Sequence, residues 1–153
     1  MRMGRNLTIT LLLTALFVAS GPLRVPVLAE DYLDYYEQGE WALRVEKWDR
    51  AIDFFTKAIQ DNPNFFVAYH NRAIAYSKKG EYDKSIQDLK KATQLNPDYP
   101  DAYGLLGLVY EIKNDHVAAL AVYREALTRE KRPAVRKIIE KYIQDLEAKT
   151  KKK

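Results

Sequence analysis

The sequence lacks most of the residues and spacings on which catalysis and metal binding depend. None of its 153 residues is a cysteine, which excludes disulfides, thiolate metal sites and cysteine nucleophiles. Only two histidines are present, His70 and His116, and His70 has no obvious carboxylate partner nearby in the sequence. The chain has neither a glycine-rich phosphate loop nor a metal-ligand spacing. We therefore expect a binding or structural protein rather than an enzyme, with no cofactor and no metal site.

The body of the chain has no excess of positive charge, although the net charge of the whole chain is +4. Residues 1–29 contain three arginines and no acid, and residues 149–153 contain four lysines, so residues 30–148 are net acidic. A nucleic-acid-binding protein would carry its basic residues as a patch on the folded body. We therefore expect no nucleic-acid partner. The hydrophobic fraction of 47% and the charged fraction of 30% are typical of one folded domain.

The first 29 residues resemble a targeting segment. Arg2 and Arg5 precede a charge-free, mostly apolar run over residues 7–20, and Val27-Leu28-Ala29 follows. This order predicts a signal peptide over residues 1–29, cleaved after Ala29, with Ser20 as the second candidate. The alternative is an uncleaved inner-membrane anchor, but a spanning helix needs about 20 apolar residues. We expect a bacterial protein that is periplasmic or secreted.

The strongest positive signal is a period of 34 residues. Four sets of residues recur at this period. They are the tyrosines Tyr35, Tyr69 and Tyr103, the alanines Ala58, Ala92 and Ala126, the small residues Gly39, Ala73 and Gly107, and the bulky residues Phe55, Leu89 and Tyr123. A fixed period of this length means that one supersecondary unit is stacked several times. Stacked units present extended binding surfaces.

The middle unit shows what each repeat contains. Its pattern predicts a helix over residues 66–79, a turn at Gly80 and a second helix over residues 82–95 that Pro97 prevents from continuing. We expect Ala73 and Gly107 to lie where two helices cross, because a larger side chain there would hold the backbones apart.

At these residues the sequence resembles the tetratricopeptide repeat (TPR) family. The third unit carries the family's aromatic, Leu-Gly, Tyr, Ala, aromatic and Ala positions at Tyr103, Leu106, Gly107, Tyr110, Ala119, Tyr123 and Ala126. The first unit departs from the pattern at Ala42 and at Glu46, where the turn glycine is usual, and the third departs at Lys131. The resemblance implies an all-α fold of three tandem helix-turn-helix repeats, residues 32–65, 66–99 and 100–131, in a short right-handed solenoid.

Residues 132–148 predict a C-terminal cap helix. Pro133 suits a first helical turn, and an apolar stripe follows at Val135, Ile138, Ile139, Tyr142, Ile143 and Leu146. A repeat array needs such a cap, because its last unit exposes an apolar face. The alternative is a basic amphipathic helix on an anionic membrane. Residues 149–153 are interpreted as a basic tail, in which residues 150–153 are expected to be disordered. Membrane contact is expected only through an uncleaved N-terminus or this tail.

The resemblance also implies a concave groove, lined by the first helix of each repeat, that binds a protein or peptide. We select Tyr36, Glu40, His70, Asn71, Ile74, Leu108 and Ile112 as its binding residues. If His70 faces this groove, replacing it by alanine should leave stability almost unchanged. Leu105 and Leu108 have the alternative of packing against the cap helix.

One ligand class can be tested against the sequence. Family members that grip a C-terminal carboxylate use Lys, Asn and Arg at places that hold Tyr36, Glu40, Asn71, Asp101 and Leu105 here, and only Asn71 matches. We therefore do not expect a heat-shock-chaperone tail. The expected function is an exported adaptor or assembly scaffold in the bacterial cell envelope. The alternatives are a membrane-tethered scaffold and an accessory subunit of an envelope enzyme.

Overall fold

The computed structural model describes residues 31–151. Seven α-helices and no strands are found in this range: α1 Asp31–Arg44, α2 Trp48–Asp61, α3 Phe66–Lys78, α4 Tyr82–Leu95, α5 Pro100–Ile112, α6 His116–Arg129 and α7 Pro133–Thr150. The predicted signal peptide lies outside the described residues, as do Lys152 and Lys153. Within residues 31–151 no helix combines the length and the hydrophobicity that crossing a membrane requires.

The helices form three hairpins, α1–α2, α3–α4 and α5–α6, and the apolar core runs through all of them. One cluster joins the first hairpin to Ala68 and Ala75 of α3. A second joins α3 and α4 to α5 through Leu89 and Leu106. A third buries Ile139 and Leu146 of α7 against α5 and α6. Each hairpin therefore covers the apolar face of the one before it, which confirms the predicted all-α solenoid.

The two helices of each hairpin approach closely where the sequence places its small residues. A Cβ atom added to Gly39 would lie 2.5 Å from Cε1 of Phe55, and one added to Gly107 would lie 2.4 Å from Cε1 of Tyr123. The middle repeat has Ala73 instead, and there the facing residue is Leu89, not an aromatic. Glycine is thus paired with a ring and alanine with a smaller branched side chain.

All three hairpins turn through the same left-handed backbone conformation, although only one of them uses glycine. Gly80 has φ 78°, while Glu46 has φ 58° and Asn114 has φ 60°. In each turn the following amide donates to a carbonyl five residues earlier, as Lys47 N does to Ala42 O at 2.9 Å. Glu46 departs from the family pattern in sequence, but its backbone does not, because this hydrogen bond fixes the turn.

Ion pairs connect neighbouring hairpins in the outer part of the stack. Lys79 pairs with Asp49, and Lys113 pairs with Asp83, so the same contact recurs one repeat later. A more buried pair lies within the middle hairpin, where Nε and Nη2 of Arg72 donate to Asp88 at 2.7 and 2.8 Å. Nη1 of Arg72 also donates to Thr56 of the preceding hairpin at 3.0 Å.

Helix α7 differs from the predicted cap in two respects. It extends to Thr150, so the predicted basic tail begins as helix and Thr150, predicted to be disordered, is helical. Lys149 in the last turn complements the helix dipole, which favours this extension. Ile138 and Tyr142 were expected in the buried stripe, yet 54% and 49% of their surfaces are exposed. Only part of the stripe therefore serves to cover the core.

The glycine–ring crossing predicts a stability difference between two glycines of α5. Gly107→Ala should lower the free energy of unfolding by about 1–2 kcal/mol, because overpacking against Tyr123 outweighs the better helix propensity of alanine. Gly104→Ala is the matched control, since its Cβ would meet nothing within 4 Å, and it should stabilise the fold slightly. Urea unfolding measures both.

A Tyr123→Leu background, which imitates the Ala73–Leu89 pair, should remove most of the cost of Gly107→Ala. If Gly107→Ala lowers the free energy of unfolding equally in the two backgrounds, the close contact between Gly107 and Tyr123 is contradicted.

Candidate functional site

Helices α3, α5 and α7 line an open groove with a volume of about 810 Å3. This volume is in the range of about 300–1,000 Å3 that ligand sites occupy. Most of its lining is apolar: Ile74, Leu105, Leu108, Val109, Ile112, Val135, Ile139 and Tyr142. Lys78 and Asp101 are charged residues at its lining. The arrangement can hold apolar side chains of a partner.

Four of the seven predicted binding residues come together in this groove. His70 and Ile74 contribute from α3, and Leu108 and Ile112 contribute from α5. Leu108 is 45% exposed and Ile112 is 46% exposed. The exposure of Leu108 excludes the alternative in which that side chain is buried against the cap helix.

The other three predicted residues form a separate polar group between α1 and α3. Tyr36 donates its hydroxyl hydrogen to Oε1 of Glu40 at 2.9 Å, and Nδ2 of Asn71 donates to the Tyr36 hydroxyl oxygen at 3.1 Å. Burial, and next the Glu40 carboxylate, raise the pKa of Tyr36, so the phenol stays protonated. This group, Tyr36–Glu40–Asn71, connects α1 to α3 and holds the Glu40 carboxylate in one orientation.

His70 is both a groove residue and a packed residue. Its surface is only 9% exposed, and its ring meets the ring of Tyr99 edge to face at 5.1 Å. Among the described residues no hydrogen-bond partner reaches Nδ1. Burial lowers the pKa of His70, and the nearby Asp101 carboxylate partly opposes this shift. This burial argues against the expectation that His70→Ala would leave stability almost unchanged, and we instead expect a loss of stability, because a buried, stacked side chain would be lost.

One wall of the groove was not predicted. Val135, Ile139 and Tyr142 of α7 line it, although the sequence assigned that helix only to capping. The signal that reveals them is the period itself, because adding 34 to Asp101, Leu105 and Leu108 gives these three positions. Helix α7 thus stands where the first helix of a fourth repeat would stand.

A cluster of hydrogen bonds at the α6–α7 turn fixes this wall. Glu130 is buried and accepts hydrogen bonds from the Arg132 guanidinium and from the Arg132 backbone amide, the latter at 2.8 Å. These bonds lower the pKa of Glu130 to about 2. Arg132 also donates to Asp101 at the start of α5, at 3.0 Å. The turn therefore ties α7 to α5 across the groove.

Metal chemistry has no counterpart in the described helices. Within residues 31–151 no group of three or more His, Cys, Asp or Glu side chains is placed to hold a metal ion. The groove instead offers apolar surface and isolated charges, which suit noncovalent binding.

Family models and one curated relative agree with the repeat pattern. Models described as "TPR repeat" and "Tetratricopeptide repeat" match residues 75–114, 54–87 and 100–132. The chain is 39% identical over 62 residues to the human small glutamine-rich tetratricopeptide repeat-containing protein alpha, a match that covers 39% of this chain. It spans only 20% of the length of that relative.

Solved structures with the same fold cover most of the chain. The Arabidopsis OM64 TPR domain is similar with a TM-score of 0.70 and 28% identity, over 76% of this chain and 97% of that one. The first TPR of Spaghetti (RPAP3), bound to the HSP90 peptide SRMEEVD, is similar with a TM-score of 0.73 and 24% identity, over 82% of this chain and 98% of that one. The second likeness concerns the fold alone.

The buried, neutral His70 predicts that stability depends on pH. The unfolded chain binds a proton near the ordinary histidine pKa of about 6.5, whereas the folded protein binds it only at lower pH. The free energy of unfolding should therefore fall as pH drops through about 6.5 and level off below the folded pKa. His70→Phe keeps an aromatic ring against Tyr99 and should flatten this dependence.

Urea midpoints at pH 7.5 and pH 5 measure the effect in both proteins. His116 is present in both, so any contribution from it cancels in the comparison. Parallel pH profiles would show that His70 is protonated equally in the folded and unfolded states.

Proposed function

We propose that this chain, whose described helices form tetratricopeptide repeats, is a noncovalent protein-binding adaptor or assembly scaffold. The observation that carries the proposal is the open apolar groove on α3, α5 and α7, with Leu108 and Ile112 nearly half exposed. Exposed apolar residues grouped in this way are typical of interaction sites. No enzymatic role is part of the proposal.

The ligand that best fits the groove is a peptide segment of a partner protein. The Spaghetti (RPAP3) domain, which has a similar fold, is bound to the peptide SRMEEVD of HSP90, so a fold of this kind can hold a peptide. The acidic character of that peptide does not suit this chain, because Glu40 and Asp101 would repel it. We therefore propose a peptide ligand other than an acidic chaperone tail.

The double substitution Asn71→Ala with Ile74→Glu should abolish partner capture while the protein stays folded. Ile74 loses its apolar surface in the groove, and Asn71 loses its amide beside Tyr36. The measurement is crosslinking in intact cells, followed by mass spectrometry of the captured proteins. Val117→Glu is the control, because Val117 is 80% exposed at the start of α6, away from the groove lining.

Circular dichroism melting should show a cooperative transition for the wild type, the double variant and the control, with a somewhat lower midpoint for the double variant because it lacks the Asn71–Tyr36 hydrogen bond. Capture that survives in a folded double variant would contradict a role for the groove.

The location proposed for this activity is the bacterial cell envelope. The support is the order of Arg2 and Arg5, the apolar run and Val27-Leu28-Ala29 in the sequence. Mass spectrometry of the envelope form should give a mature N-terminus at Glu30. An intact N-terminus in the membrane fraction would instead support the tethered scaffold, and an intact protein confined to the cytoplasm would contradict export.

A further inference from the structure

Helices α1, α3, α5 and α7 stand in one row, in which α3, α5 and α7 line the groove and α1 is joined to α3 by the Asn71–Tyr36 hydrogen bond. Equivalent positions differ in character from one end of this row to the other. The period places Tyr36, Glu37 and Glu40 of α1 at equivalents of His70, Asn71 and Ile74 in α3. The equivalents in α5 are Gly104, Leu105 and Leu108, and those in α7 are Ile138, Ile139 and Tyr142. We call α1 with its two glutamates the acidic end, and α5 with α7 the apolar end.

From this arrangement we infer that the groove recognises a segment with two adjacent parts, a block of aliphatic or aromatic side chains on the apolar end and basic side chains on the acidic end. The inference rests on the proposed function and adds the chemistry of the ligand. It also makes α7 part of the binding site as well as the end of the array.

Exposure supports the apolar half of the ligand. Eight large hydrophobic side chains are exposed in residues 31–151, and four of them, Leu108, Ile112, Ile138 and Tyr142, belong to α5 and α7. Tyr142 is held in place by stacking on Tyr123, with ring centroids 5.8 Å apart and an interplanar angle of 15°. A held aromatic beside exposed aliphatics is the kind of surface that anchors a partner's apolar side chains.

Charge supports the basic half. Glu37 is exposed and Glu40 is half-buried, one turn apart on α1. Tyr36 occupies Oε1 of Glu40, which holds the carboxylate in one orientation and leaves its other oxygen to accept a hydrogen bond from a cation. Lys78, in contrast, lies at the groove lining and would repel a ligand that is basic throughout. Asp101 also lies at the groove lining, but Arg132 pairs with it at 3.0 Å. The basic residues of the ligand therefore belong at the α1 side.

Fluorescence anisotropy with synthetic peptides tests the inference. The probes are KRKGSLIAFLI and its reverse ILFAILSGKRK, which cover both orientations along the groove, each compared with a version that has glutamates for its basic residues. One orientation should bind about tenfold or more tighter than its acidic version. The reason is that the acidic version replaces attraction to Glu37 and Glu40 by repulsion. SRMEEVD is the third probe and should bind more weakly than the basic peptide of the preferred orientation.

Two substitutions separate the two ends of the groove. Tyr142→Ser should weaken the preferred probe about tenfold, whereas Val117→Ser, the exposed control on α6, should not. Glu37→Lys should weaken the basic probe and strengthen its acidic version, whereas Asp53→Lys on the exposed face of α2 should leave both unchanged. The charge swap is informative because a general loss of folding would weaken both probes.

Three outcomes would overturn the inference. They are equal binding of basic and acidic probes, tighter binding of SRMEEVD, and a dimer in sedimentation that Tyr142→Ser dissociates, which would assign the apolar end to a second copy of the chain. If the probes fail to bind while the double substitution Asn71→Ala with Ile74→Glu still abolishes partner capture, only this ligand chemistry is rejected. Capture that is insensitive to the double variant would reject the groove itself.

Discussion

The close crossing of the two helices in each hairpin is the constraint on which the rest of the structure depends. At Gly39 and Gly107 an aromatic ring of the second helix occupies the space that a Cβ atom would need. This contact sets how far the first helix of each repeat can sit from its partner. Helices α3, α5 and α7 can then stand side by side, and the faces that they turn away from the second helices form one groove. Packing at the back of the solenoid therefore determines the geometry of the binding surface at its front.

Much of this fold could be predicted because the same pattern of small, apolar and turn residues occurs in three repeats. Alanines 58, 92 and 126 are fully buried, as their spacing predicts, and Gly80 adopts the left-handed turn conformation. The turn at Glu46 was less accessible to sequence reasoning, since a non-glycine residue rarely adopts positive φ. There the hydrogen bond between Lys47 and Ala42 decides the conformation, and residue preference does not.

The candidate site was less predictable than the fold, for an equally physical reason. A period states which face of a helix a residue occupies, but neighbouring helices decide whether that face is open. His70 has the expected position and is nevertheless buried by Tyr99. Tyr142 was assigned to the covered stripe of α7 and is half exposed beside the groove. Helix α7 has to cover Tyr103 and Tyr123 with one edge and line the groove with another, and an apolar stripe alone does not separate these two tasks.

The ion pair between Arg72 and Asp88 distinguishes the middle repeat from the third. At the equivalent positions the third repeat has Leu106 and Val122, an ordinary apolar contact in the core. If α3 packed one repeat out of place, where α5 belongs, its guanidinium would face Val122 in place of Asp88 and Lys90 in place of Thr56. A buried charge without its partner costs about 3–5 kcal/mol. The repeats are similar enough to stack on one another. The cost of a mismatched Arg72 disfavours slipped or domain-swapped assembly, and it also means that the middle repeat cannot replace the third without loss of stability.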